Sequence, residues 1–257
     1  MFVTELRFEC FADTTITAAE KAINHYLESL RANGQILGRE FAVAFNEGKF
    51  KVRLLMPEKT SLATRHNSPW TKQALQQLTD AKLLAPREKY IGQDINSEVS
   101  NTEKPSWQVL YTSYVHMCSP IRSGDNLLPI PLYQLPATFN GDHKRVIRWQ
   151  TEWQACDELQ MAAATQAEFA ALEEITSHQS DLFRRGWDIR GRVEYLTKIP
   201  TYYYLYRVGG ENLASEKNRA CPRCGSKAWR LDEPLLDMFH FRCEPCRIVS
   251  NISWDHQ

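Results

Sequence analysis

The C-terminal stretch CPRCGSKAWRLDEPLLDMFHFRCEPCRIVSNISW, residues 221–254, contains two Cys-x-x-Cys pairs about eighteen residues apart. Each pair presents two sulfurs from one tight turn, and four thiolates about 2.3 Å from a central ion form the tetrahedral sphere of a Zn²⁺ site. The residues between the pairs are rich in strand formers, so a hairpin can bring the two turns together. The sequence therefore predicts one Zn²⁺, held by Cys221, Cys224, Cys243 and Cys246.

The donor set also predicts what such an ion would do. Four thiolates close the coordination sphere, whereas a catalytic zinc keeps one position open for water or substrate. A thioredoxin-like redox motif would need a single Cys-x-x-Cys at a strand-to-helix turn, not two in hairpins. We therefore expect a structural zinc that stabilises a module with little core of its own and takes no part in chemistry.

Composition and charge limit the class of protein. The 257 residues are 43% hydrophobic and 24% charged, which is typical of a globular chain with one large domain or two ordinary ones. Lysine and arginine together equal aspartate and glutamate in number, so the formal net charge is zero. This balance argues against a protein that holds nucleic acid by overall charge alone.

The termini and cysteines predict a compartment. The opening MFVTELRFEC lacks the basic and apolar segments of a secretory signal, and no apolar run approaches the roughly eighteen residues of a membrane helix. Seven cysteines, four of them at metal-ligand spacing, favour a reducing environment. We expect a cytoplasmic protein with no membrane segment.

The elements before the cysteines predict an α+β fold that begins with a ferredoxin-like βαββαβ module over residues 1–95. Alternating apolar residues mark its strands, and a helical apolar period marks its helices. The expected elements are a strand over about 2–11, a helix with a Thr17–Glu20 capping box that ends at Asn33-Gly34, a hairpin around Asn46-Glu47-Gly48, a helix from Ser68-Pro69 to about Leu84, and a strand in REKYIGQD.

Two further regions follow the module. Residues 96–210 predict a mixed region with strands in WQVLYTSYVHM and TYYYLYR and helices between about Val146 and Leu196. Trp149 and Trp153 lie one helical turn apart and are expected in the core. Residues 211–257 predict the zinc ribbon, connected through the polar stretch GGENLASEKNR, which reads as a flexible tether.

The ribbon sequence also resembles a known family. The run DEPLLDMFHFRCEPCRIVSNISW, with TYYYLYR and CPRCG before it, closely resembles a bacterial family of zinc-ribbon proteins. The resemblance is densest from about Leu182 to Trp254 and extends more loosely over the rest of the chain. It implies a bacterial, cytoplasmic protein whose zinc ligands are the four cysteines. Nucleic-acid binding is proposed for that family, which has no assigned biochemical function.

Two hypotheses for the ribbon stay open. In the first, the ribbon binds single-stranded nucleic acid or RNA, because arginines that reach phosphates beside aromatic rings that stack on bases are typical of such surfaces. The candidate residues are Arg223, Lys227, Trp229, Arg230, Arg242 and Arg247. In the second, the zinc is purely structural and the protein is an adaptor that binds a protein partner and no nucleic acid.

An enzyme is the least favoured class. The sequence has no P-loop, no G-x-G-x-x-G, no G-x-S-x-G and no recognisable catalytic spacing of its seven histidines. A small-molecule substrate is accordingly not indicated. We expect a protein that binds a macromolecule and catalyses no reaction.

Overall fold

The computed structural model describes residues 1–256 and divides into two compact units. Unit 1 comprises residues 1–102, 117–119 and 128–144, and unit 2 comprises residues 103–116, 120–127 and the chain from 145 onward. The helices and strands confirm a mixed α+β protein with two separate sheets. No helix in the described part of the chain is long and apolar enough to cross a membrane.

Unit 1 is built on a four-stranded antiparallel sheet. Its element order, β-α-β-β-α-β, is the ferredoxin-like order expected from the sequence, and its strands lie side by side as β2-β3-β1-β4. The elements are β1 (Phe2–Glu9), α1 (Ile16–Asn33), β2 (Ala44–Asn46), β3 (Lys49–Met56), α2 (Pro69–Asp80) and β4 (Arg87–Gln93).

The alternation of β1 explains how this sheet packs. Leu6 and Phe8 are 2% and 0% exposed and belong to the core formed with α1, α2 and β3. Glu5, Arg7 and Glu9 occupy the alternate positions and are only half-buried. Because successive side chains of a strand point to opposite faces, the helices cover one face of the sheet and charged residues line the other.

The first helix begins earlier than the predicted capping box. Thr15 is its N-cap, and the Thr15 hydroxyl accepts a hydrogen bond from the Ala18 backbone N–H at 3.1 Å. Thr17 therefore lies inside the first turn and caps nothing, which corrects the expected box with Glu20. The helix ends as predicted at Gly34, whose φ of 76° is a left-handed conformation that glycine adopts readily.

Unit 2 is built on a six-stranded sheet in the order β6-β5-β7-β10-β9-β8. The central strand β7 runs parallel to both of its neighbours, β5 and β10, and all its residues are buried. The elements are β5 (Gln108–Leu110), β6 (Ile121–Ser123), α3 (Lys144–Ala162), α4 (Glu168–Thr176), α5 (Asp181–Thr197), β7 (Thr201–Leu205), α6 (Leu213–Lys217), β8 (Arg230–Leu235), β9 (Phe239–Cys243) and β10 (Ile248–Ser250).

The helices of unit 2 follow the predicted period, and Trp149 and Trp153, each 2% exposed, lie in the core as expected. The strand predicted in WQVLYTSYVHM is shorter than expected. Only Gln108–Leu110 pairs, with β6 on one side and β7 on the other. The alternating residues that follow leave the sheet, and Val115 and Met117 are both 64% exposed.

The ribbon is not a separate tethered module in this structure. Its last strand, β10, pairs in parallel with β7, so that Ile248, Val249 and Ser250 lie opposite Tyr203, Tyr204 and Leu205. The compact units therefore differ from the expected ranges 96–210 and 211–257, because one sheet runs through both.

The predicted tether is also ordered. GGENLASEKNR contains the short helix α6, which is capped by Asn212. Local pattern did not predict the pairing of β10 with β7, since strands forty-odd residues apart leave no local signal of their pairing.

Close packing of α5 on β7 makes Gly186 a sensitive position. A Cβ added there would lie 2.5 Å from Trp149 Nε1 and closer still to the Tyr203 ring. We expect Gly186→Ala to lower the free energy of unfolding by about 1–3 kcal/mol, because the buried rings must shift. Gly191→Ala in the same helix meets no atom within 4 Å and should be neutral or stabilising by about 0.5–1 kcal/mol. Thermal and urea unfolding of both variants would measure this, and equal losses would refute the packing argument.

Candidate metal centre

The first cysteine pair lies in a tight turn after α6. The Cys221 backbone N–H donates to the Ser226 carbonyl at 2.8 Å, and the Gly225 N–H donates to the Cys221 carbonyl at 2.8 Å. Gly225 has a φ of 72°, so the glycine that follows the pair allows the left-handed turn at this point. These bonds direct the Cys221 and Cys224 side chains to one side of the turn.

The second pair connects β9 to β10. Cys243 is the last residue of β9, and Cys246 lies in the turn that leads to Ile248 at the start of β10. The pairing of Cys243 with Ile248 closes this turn as an antiparallel hairpin. The second pair is therefore fixed by the same sheet that contains β7.

The two turns bring four sulfurs together. The Sγ atoms of the four cysteines all lie within 4.8 Å of one another, and Cys224 Sγ is 3.6 Å from Cys243 Sγ. Four thiolates arranged tetrahedrally at 2.3 Å from an ion would have their sulfurs about 3.8 Å apart. The cluster thus has the donors and the spacing to hold one metal ion. Three of its members are buried, and Cys224 is exposed at the surface.

Protonation opposes metal binding at this cluster. Burial raises the pKa of the Cys243 thiol and raises that of Cys246 to about 11. Cys224 differs, since a hydrogen bond from the Ser226 backbone lowers its pKa to about 7. A metal ion binds thiolates, so the buried thiols must release protons when it binds.

A buried ion-pair network anchors the segment before the first turn. Glu216 is 2% exposed, and its carboxylate accepts from Arg207 Nε at 3.1 Å and lies 3.5 Å from Arg219 Nε. Burial lowers the pKa of the Arg219 guanidinium to about 10, although the Glu216 carboxylate acts in the opposite direction. Glu216 in turn has a pKa below its usual value, because the two arginines outweigh the effect of its burial.

Arg219 connects this network to the ribbon strands. Its guanidinium lies 4.5 Å from the Trp229 ring centroid and 4.0 Å from that of Phe241, within the range of cation–π contacts. It donates to Ser250 Oγ at 2.8 Å and to the Asn251 carbonyl at 2.7 Å. The Arg219 carbonyl accepts from Trp229 Nε1 at 2.8 Å. One residue therefore ties the segment before the first cysteine turn to Trp229, to β9 and to β10.

A second network involves two of the predicted nucleic-acid-binding arginines. Arg242 and Arg247 donate to the Tyr202 hydroxyl at 2.8 and 2.9 Å, and both form ion pairs with Glu244. Arg247 also lies 3.5 Å from Glu194 of α5. These guanidiniums are half-buried and connect the second cysteine turn to β7 and α5.

The other predicted nucleic-acid-binding residues do not form one surface of arginines and stacking rings. Trp229 is 1% exposed and packs on Phe241, so its expected role of stacking on a base is wrong. Arg223 is exposed and lies over the Trp187 ring of α5 at 3.7 Å. Lys227 and Arg230 are exposed. Nucleic-acid binding by the remaining five residues stays a prediction.

Sequence reasoning missed Arg207, Glu216 and Asn251, which hold the ribbon in place. The Asn251 amide bridges Tyr204 and Arg207, accepting from the Tyr204 hydroxyl and the Arg207 N–H and donating to the Arg207 carbonyl. The one signal in the sequence was an Asn212–Ser215 capping pair in the predicted tether, which indicates a helix and not a flexible linker.

The fold and cluster define a class: an α+β protein whose C-terminal four-cysteine ribbon completes a mixed sheet. Three family models match it in succession, each described as a domain of unknown function: DUF8589 over residues 1–92, DUF2310 over 102–206 and DUF8594 over 210–256. An uncharacterized protein of Haemophilus influenzae is 41% identical over 261 residues, which cover 99% of each chain. The chain belongs to the same family as this Haemophilus protein.

Two further matches are more limited. A second uncharacterized protein of Haemophilus influenzae is 49% identical over 166 residues, covering 64% of this chain and 81% of that protein. A Deinococcus radiodurans crystal structure, of a protein provisionally named an antibiotic biosynthesis monooxygenase, is 16% identical with a TM-score of 0.27. It covers 38% of this chain and 98% of that one, and a score of this size supports no conclusion about fold or activity.

The Glu216 network yields a stability prediction. Replacing Glu216 with Gln leaves Arg207 and Arg219 without their buried counter-charge, so we expect a loss of about 3–5 kcal/mol in the free energy of unfolding. Glu211→Gln is the matched control, because Glu211 is exposed on the same segment and should change stability by less than about 0.5 kcal/mol. Denaturant unfolding monitored by tryptophan fluorescence measures both. A loss of the same small size in the two variants would contradict the anchoring role.

Proposed function

We propose that this protein contains a zinc ribbon in which one Zn²⁺, bound by the thiolates of Cys221, Cys224, Cys243 and Cys246, is structural. The observation that supports this proposal is the approach of the four sulfurs to within 4.8 Å from two turns, one between α6 and β8 and the other between β9 and β10. Thiolate donors in a tetrahedral arrangement favour Zn²⁺ over the harder ions Mg²⁺ and Ca²⁺, which select oxygen ligands.

The ion's role follows from where its ligands lie. Cys221 and Cys224 precede β8, whereas Cys243 and Cys246 join β9 to β10. A shared ion would connect the ribbon's first turn to the strand hairpin that pairs with β7. Structural zinc in small peptides contributes roughly 10–16 kcal/mol to folding at neutral pH, a scale that exceeds most side-chain interactions in this region.

The same geometry supports a structural zinc and not a catalytic one. Four thiolates leave no coordination position for water or substrate, so the zinc would not act as a Lewis acid. Arg242 and Arg247 form ion pairs within the protein, which favours a structural role for them over phosphate binding. We propose a macromolecular partner, and a reducing compartment such as the cytoplasm in which the thiols stay available to the metal.

Loss of one ligand tests the zinc site. We expect the purified protein to contain one Zn²⁺ per chain by mass spectrometry of metals, and Cys243→Ser to reduce this to a small fraction. Thermal stability should fall with it, because β9 and β10 lose the shared ion. Cys156→Ser removes a thiol that lies outside the cluster and should keep the full zinc content. A wild-type protein without zinc after growth in zinc-supplemented medium would refute the proposal.

The pKa shifts predict the direction of the pH dependence. Burial raises the pKa of the Cys243 and Cys246 thiols, so protons compete with the metal for these ligands and the competition strengthens as pH falls. We expect zinc release to increase steadily on acidification and apparent zinc affinity to rise with pH through the neutral range. A chromogenic chelator assay across a pH series measures this. Zinc retention that does not change with pH would argue against an all-thiolate site.

A further inference from the structure

The sheet of unit 1 has a face that the helices do not cover. Along β1 and β3, the residues of this open face alternate with buried core residues such as Phe8, Val52 and Leu54. Its charged residues are exposed or half-buried. The charged residues of the open face are Glu5, Arg7 and Glu9 of β1, Lys49, Lys51 and Arg53 of β3, and Arg87 and Lys89 of β4.

Positive charge predominates on the open face. It carries six cationic side chains and two carboxylates, a formal excess of four positive charges, in a chain whose formal net charge is zero. Glu88 lies between Arg87 and Lys89 in sequence but points to the other face, where it accepts from the Thr4 hydroxyl at 3.3 Å. The excess is therefore a local feature of this face and does not follow from overall composition.

The strand register arranges these charges in rows. Arg7 lies directly opposite Lys51 on one neighbouring strand and Arg87 on the other, so three cations stand side by side with no carboxylate in the row. Like charges directly opposite one another destabilise a sheet. The next row, Arg53, Glu5 and Lys89, is also cationic, and Glu9 pairs with Lys49 at 3.0 Å.

The two carboxylates act within the face and do not neutralise it. Glu5 accepts from Arg7 Nε at 2.7 Å. This hydrogen bond, together with the charges of Arg7, Lys51 and Lys89, lowers the pKa of the Glu5 carboxyl below its usual value. Lys49, Arg87 and Arg7 do the same to Glu9. Both groups are thus ionised at neutral pH while the positive excess remains.

We propose that the open face of unit 1 binds single-stranded nucleic acid through its phosphates. The inference goes beyond the structural zinc and does not depend on it. Neighbouring strands place cations about 4.8 Å apart, and alternate residues along β3 place them about 6.8 Å apart, so phosphates of an extended strand can meet several at once. Arginines here can also bind phosphate oxygens in a bidentate way.

The shape and charge of the face favour this partner over three others. A second copy of the same face would be repelled, because each copy carries a formal excess of four positive charges. A rigid duplex touches a flat sheet along a narrow strip, whereas the cations spread over three strands in two dimensions. A membrane surface would be expected to meet exposed apolar side chains among the cations. The residues that β1, β3 and β4 place on the open face include no aromatic ring that could stack on a base. Binding should therefore be independent of sequence.

The experiment measures binding of the zinc-loaded full chain to a labelled mixed-sequence single strand across a salt series. We expect affinity to fall linearly on a log–log plot, with a slope of about −0.7 for each phosphate contact and about −3 to −4 in total. In Lys51→Gln/Arg87→Gln, the slope should shrink by about 1.4 and the affinity at low salt should fall about tenfold or more. This variant should fold normally, because it relieves repulsion in the Lys51–Arg7–Arg87 row.

The matched control is Lys227→Gln/Arg230→Gln, which removes two exposed cations from the ribbon. It should bind like the wild type. If this variant loses affinity while Lys51→Gln/Arg87→Gln does not, the ribbon holds the strand and the proposal is overturned. No binding at low salt, or tighter binding to a duplex or to phosphatidylserine vesicles than to the single strand, overturns it as well. Zinc content measured on the same samples separates these outcomes from failure of the metal site.

Discussion

The parallel pairing of β10 with β7 is the constraint on which the C-terminal half depends. β7 is buried throughout, with β5 on one side and β10 on the other, as is typical of parallel strands. This pairing makes the ribbon the edge of a larger sheet. The cysteine turns, the Arg219 anchor and the Tyr202 network all occupy positions that the pairing defines.

The ribbon residues illustrate how a small module gains stability from its surroundings. A ribbon this short has little core, so a metal would ordinarily supply much of its folding energy. Here Trp229, Phe239 and Phe241 are buried, and Arg219 spans the distance from the first cysteine turn to β10. The metal site and the ion-pair network of Arg207, Glu216 and Arg219 therefore both stabilise the cysteine turns and the ribbon strands.

Charge is distributed differently in the two units. In the ribbon, Arg242 and Arg247 have carboxylate partners and a shared tyrosine hydroxyl, so their charges serve the fold. On the open face of unit 1, the Lys51–Arg7–Arg87 row has no carboxylate in register. A surface with an excess of positive charge is available to an anionic ligand, whereas arginines that are fully paired within the protein are committed to packing. Sequence composition does not distinguish the ribbon from the open face of unit 1, because both contain similar numbers of basic residues.

The sequence by itself determined the four-cysteine cluster and the β-α-β-β-α-β order of unit 1, since both depend on local spacing: two Cys-x-x-Cys turns, alternating strands and capped helices. It also indicated that Trp149 and Trp153 lie in the core. Only the tertiary structure decided that β10 joins β7, that GGENLASEKNR is anchored by Glu216, and that Trp229 is buried and cannot stack on a base. The register that aligns Arg7 with Lys51 and Arg87 was likewise invisible in the sequence. These features arise from contacts between residues distant along the chain, and the side chains that meet there carry no local pattern that identifies their partners.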